Sequence, residues 1–110
     1  MASDVLVTFI TVGNPDQAYR IAKAVVEENL AACVNIIPAV RSLYRWKGEI
    51  CDDSECLLLV KTTRDVFPLL EARVKALHSY EVPEIIAVPV ACGFRPYLDW
   101  VAENTHTQKP

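Results

Sequence analysis

At 110 residues the chain has the length of one ordinary domain, 1–110, rather than two. It is 52% hydrophobic and 23% charged, enough to build a core and more apolar than a chain that stays disordered. A net charge of −3 with scattered Lys and Arg speaks against nucleic acid, and no apolar run nears the roughly 20 residues that cross a bilayer, so no membrane partner and a cytoplasmic location are expected.

Val5 to Val12 is branched, apolar and threonine-interleaved, which predicts a buried strand that Gly13 breaks. Asn14-Pro15-Asp16-Gln17 then opens a helix: Asn14 caps, Pro15 suits the first position, and Gln17 stands where a capping box needs it. Ala18, Ile21, Ala22, Val25 and Val26 give that helix its apolar face, and Asn29 is its stop signal.

Leu30 to Trp46 reads as extended. Pro38 marks an edge, bulge or bend because it has no N–H for the ladder. The broken alternation of Val40, Leu43 and Trp46 places a bulge near Ser42. Lys47-Gly48-Glu49 is a turn, and the chain returns from Ile50, with an interruption at Asp52-Asp53-Ser54-Glu55, into Cys56–Val60. This long hairpin carries Tyr44 and Trp46, aromatics that mark a protein interface.

A second helix is predicted with Arg64 or Asp65 as its cap, so that Pro68 falls in the first turn. Phe67, Leu70, Val74 and Leu77 form its inner face, and it ends near His78. Ile85 to Ala91 is the last strand, Cys92-Gly93 a turn, and Arg95 to Glu103 a short helix bearing Tyr97 and Trp100. The segment from Thr105 to Pro110 is polar and expected to fray. The order β-α-β-β-α-β plus a C-terminal helix is α+β and ferredoxin-like, with sheet order 4-1-3-2 from right-handed crossovers.

The richest chemistry lies in His78-Ser79-Tyr80-Glu81-Val82-Pro83-Glu84, immediately before a buried strand. His78 there either bonds the last helix carbonyls or, with Glu81 and Glu84 nearby, binds a borderline divalent cation such as Zn or Cu. Cys33 is the thiol with the best case as a soft ligand. Otherwise the four cysteines, which form no C-x-x-C pair, are expected to be reduced and mostly buried. Gly13, Gly48 and Gly93 lie too far apart for a phosphate loop. No G-x-S-x-G elbow or other nucleophile–base spacing is present, so no enzyme is expected.

Leu30–Pro38, Ser42-Leu43-Tyr44-Arg45-Trp46-Lys47-Gly48, Lys61-Thr62, His78–Glu84 and Tyr97-Leu98-Asp99-Trp100 together resemble the CutA divalent-cation tolerance family, over about Val5 to Trp100. The resemblance implies a tight homotrimer like the PII signalling proteins, in which the ribbon with Tyr44 and Trp46 meets a neighbour; Tyr97 and Trp100 on the final helix are expected to cover a neighbouring sheet edge. It implies tolerance to copper and other divalent metal ions, with Cu or Zn as the expected cofactor. The ligands it implies are His78 and Cys33; Glu84 is added as a third candidate from its place in the same connector. The family usually reads His-Pro-Tyr where this chain has His78-Ser79-Tyr80, a change that loosens the connector. Two other readings stay open: a PII-like module for a small anionic or nucleotide ligand, and a scaffold whose trimer is itself the function.

Overall fold

A computed structural model describes residues 4–107. Seven elements follow in the order β1 (Val5–Val12), α1 (Pro15–Glu27), β2 (Cys33–Trp46), β3 (Glu49–Thr63), α2 (Phe67–Leu77), β4 (Ile85–Pro89) and α3 (Arg95–Glu103). The four strands form one sheet in the order β2-β3-β1-β4, and each neighbouring pair is antiparallel. The expected ferredoxin-like order is therefore the observed one. The expected domain span of 1–110 includes termini outside the described residues.

Strand parity separates the two faces of the sheet. Ile10 and Val12 of β1 and Cys56, Leu58 and Val60 of β3 point to one side. There they meet Ala18, Ile21 and Val25 of α1 and Leu70 and Val74 of α2, and this layer is the core. The start of α1 is as its sequence dictates: Asn14 Oδ1 accepts the Gln17 N–H at 2.9 Å, and Pro15 follows the cap. Asn29 adopts φ 58° after the last turn, a left-handed conformation that asparagine tolerates.

The other face carries Val7, Phe9 and Thr11 opposite Lys61, Leu59 and Leu57, with Ile86 and Val88 of β4 beyond them. α3 lies over one end of this face. Thr105 Oγ1 stands 3.4 Å from Thr63 Oγ1, and Tyr97 lies beside Cys33. The rest is left open by this chain, and Ile86 is 57% and Val88 48% exposed.

Beyond the sheet, β2 and β3 continue as a two-stranded ribbon to a two-residue turn in which Lys47 (φ 50°) and Gly48 (φ 84°) are both left-handed. This is the twist-matched hairpin turn, and glycine suits its second position.

Several expectations are corrected. The bulge lies between Ile37 and Val40, not near Ser42, because Pro38 cannot donate to the ladder. The acidic run does not interrupt β3. Asp52 and Asp53 sit on the solvated ribbon, where the side chains of Arg41 and Tyr44 bind them. The residue before α2 is Val66, not Arg64 or Asp65. It makes no side-chain cap, and a backbone turn from Thr63 carries the chain into the helix. β4 ends at Pro89 rather than Ala91. Thr105 does not fray: it is buried, and its hydroxyl bonds the Val101 carbonyl at 3.0 Å. Residues 108–110 of that expected tail lie outside the described residues. All four cysteines are free thiols, yet only Cys56 is buried, because Cys51 rides on the ribbon and Cys92 on an exposed loop.

Candidate functional site

α2 ends at His78, whose backbone N–H bonds the Val74 carbonyl. The His78 ring does not turn back to the helix. Its Nε2 lies 2.7 Å from the carbonyl oxygen of Thr11, and its Nδ1 accepts the Tyr80 backbone N–H at 3.1 Å. An N–H aimed at Nδ1 requires that nitrogen to be bare, so the Nε2 proton is donated to Thr11. The buried ring thus pins the connector 78–84 to the end of β1.

Tyr80 packs on this histidine with ring centroids 4.6 Å apart. Its hydroxyl donates to Glu55 Oε2 at 2.7 Å, on β3 beside the bulge. Glu55 is buried to 7% exposure, unusual for a carboxylate. Gly13 makes room for the phenol, since a Cβ there would stand 3.2 Å from the Tyr80 hydroxyl oxygen. Burial first, and the Glu55 carboxylate second, push the Tyr80 phenol far above its ordinary range. Contrary to the expected loosening, Ser79 donates its hydroxyl to Gln17 Oε1 at 3.1 Å and anchors this end of the connector to α1.

Between connector and ribbon opens a cleft of about 730 Å³. Tyr80, Glu81, Val82 and Glu84 line the connector side, Arg41, Tyr44, Trp46 and Glu55 the ribbon side, and Thr11 of β1 completes the lining. Glu84 Oε1 is 3.5 Å from the Thr11 hydroxyl. The Arg41 guanidinium is bidentate on Asp52, at 2.9 and 2.6 Å, and draws that carboxyl below its usual range. Tyr44 gives its hydroxyl to Asp53, a bond that raises its phenol to about 12. Among the lining residues Arg41 is the one basic group, and it is already neutralised. The cleft is therefore a negative field open to solvent.

The structure brings His78 and Glu84 onto one connector but leaves Cys33 apart. Cys33 lies level with Val7 across the sheet, four positions from Thr11, or about 13 Å along the strands. Ligation by His78 requires one of its two ring bonds to be surrendered. Among the described residues, no group of three or more His, Cys, Asp or Glu stands where one chain alone could hold a metal ion. Tyr44, Trp46, Tyr97 and Trp100 are each about two-fifths exposed. Sequence reading missed Glu55 as a site residue and treated it as part of an acidic break. The available signal was its place opposite the proline bulge, where a strand residue turns from solvent toward the connector.

The family described as CutA1 divalent ion tolerance protein matches residues 6–104 of this chain. The divalent-cation tolerance protein CutA of Thermus thermophilus is 62% identical over 99 residues, covering 90% of this chain and 96% of that protein. Human protein CutA is 50% identical over 99 residues, again 90% of this chain, which spans only 55% of the human protein. Among solved structures, the Thermus thermophilus divalent cation tolerance protein superposes with TM-score 0.91 at 60% identity, covering 93% of this chain and 99% of that one. CutA1 from Oryza sativa superposes with TM-score 0.92 at 39% identity, covering 97% and 98%.

Proposed function

We propose that this chain, which belongs to the CutA1 divalent ion tolerance protein family, binds divalent cations as a homotrimer, in the cleft between connector and ribbon. One observation carries the reading: Glu55, Glu81 and Glu84 surround a single opening whose one basic residue, Arg41, is consumed by Asp52. Such a field concentrates cations and repels anionic ligands.

Glu84 is the ligand we place first, because it is exposed at the mouth and held only by the long contact to Thr11. His78 joins it when Nδ1 exchanges the Tyr80 N–H for the ion. Carboxylate with imidazole suits Zn and Cu. The donors that one protomer lacks come from a second copy, and Cys33, distant in its own subunit, serves only by that route.

The trimer is supported by the open sheet face. Ile37, Ile86 and Val88, with Tyr97 and Trp100, are all left well exposed, large apolar side chains that a partner surface would cover. Titrating metal-free protein with Cu(II), Zn(II) and Mn(II), with calorimetry and size measurement in parallel, tests both parts. Saturable uptake by a trimer supports the reading. A monomer, or a trimer with no uptake tighter than about 1 mM, overturns it.

A further inference from the structure

The ribbon is anchored to the body of the protein beside a break in its own ladder. Pairing of β2 with β3 shifts register between Ile37 and Val40, so Pro38 and Ala39 interrupt the ladder where the ribbon leaves the sheet. A bulge bends its strand and weakens the local pairing. The Cys56 thiol bonds the Pro38 carbonyl at 3.4 Å on the sheet side of this break. On the ribbon side, Val40 pairs with Glu55, and Glu55 is the residue that receives the Tyr80 hydroxyl.

Tyr80 in turn is fixed on the connector by its ring contact with His78 and by its backbone N–H to His78 Nδ1. One continuous path therefore runs from Thr11 through His78 and Tyr80 to Glu55. It joins the two walls of the cleft, the connector with Glu84 and the ribbon with Tyr44 and Trp46. The bond that closes the path lies at the pivot, where a small rotation about the bulge moves the ribbon tip furthest.

We infer that Tyr80 and Glu55 are positioning residues that latch the ribbon at the Pro38–Ala39 bulge and so set the width of the cleft. The latch deepens the cation reading, because Glu84 rides on the same connector, yet it rests on geometry that does not depend on a bound ion.

Hydrogen exchange on the intact protein tests this. Tyr80→Phe keeps the ring against His78 and Gly13 and removes only the hydroxyl. Amides of the ribbon, 40–55, and of the connector, 79–84, should exchange roughly tenfold faster, the effect expected for loss of one hydrogen bond to a charged acceptor. Amides of β1 and α1 should be unchanged, which a general loss of stability would not give. Glu55→Leu, which removes the acceptor, should act alike, and the double variant should add nothing further. Unaltered ribbon exchange, or effects of the two variants that sum, overturns the latch. A parent protein that takes up no Cu(II) or Mn(II) while the exchange result stands sinks the cation reading alone.

Discussion

His78 holds the Thr11 carbonyl through Nε2 at 2.7 Å while its Nδ1 receives the N–H of Tyr80. Both ring nitrogens are thus committed, and the imidazole works as a staple between β1 and the connector. His78→Ala removes two hydrogen bonds and leaves a carbonyl and an amide without partners. The expected loss is about 2 kcal/mol of stability. It is read as a lower midpoint in urea with an unchanged slope. A variant that melts with the parent would show that the staple holds nothing.

Glu84 makes no close bond in the structure; its contact with the Thr11 hydroxyl is 3.5 Å. Its neutral variant Glu84→Gln should therefore leave the urea midpoint within about 0.5 kcal/mol of the parent. Cation affinity should fall by about tenfold if Glu84 is a ligand, close to one charge-assisted contact. Isothermal titration with Cu(II) separates the two quantities. Full affinity in Glu84→Gln would move the ligand role to Glu81 or Glu55.

Most of the fold was legible because its signals are local. Asn14, Pro15 and Gln17 announced α1, Lys47-Gly48 the ribbon turn, and the branched runs the strands, and every one of these rests on backbone chemistry within a few residues. The misplacements have a common cause. Val66 precedes α2 without a side-chain cap because Thr63 and Asp4 hold the turn through backbone bonds, one of them from just ahead of the neighbouring strand β1. Thr105 is ordered by Thr63, 42 residues away. Of the candidate site, the connector was readable as a cluster, but its meaning was not. The partners of His78 and Tyr80 are Thr11, 67 positions away, and Glu55, 25 positions away, and no local pattern encodes such pairings.

Alkaline pH should weaken the protein through Tyr80 and Tyr44. Burial and the Glu55 carboxylate raise the Tyr80 phenol, and the bond to Asp53 raises that of Tyr44 to about 12. Unfolded, both phenols titrate at the ordinary 10.0. The folded state therefore holds these protons more tightly. The stability they contribute is complete below pH 10 and is lost as pH rises through the folded values. Urea midpoints should fall with pH from 10 upward, and fall less steeply in Tyr80→Phe. An equal slope in parent and variant would remove Tyr80 from the account.

The open sheet face decides the assembly. Ile86 and Val88 stand on it at 57% and 48% exposure, so in an isolated protomer a lysine at 86 costs little, its ammonium reaching water. In a trimer closed around this face the same ammonium would be buried without a partner, a cost of several kcal/mol at every subunit. Ile86→Lys should therefore sediment as a monomer whose far-ultraviolet dichroism matches the parent. If a second copy completes the cation site, as proposed above, cation uptake should fall with the trimer. A folded Ile86→Lys that remains trimeric would place the subunit contact elsewhere, with the ribbon residues Tyr44 and Trp46 the next surface to substitute.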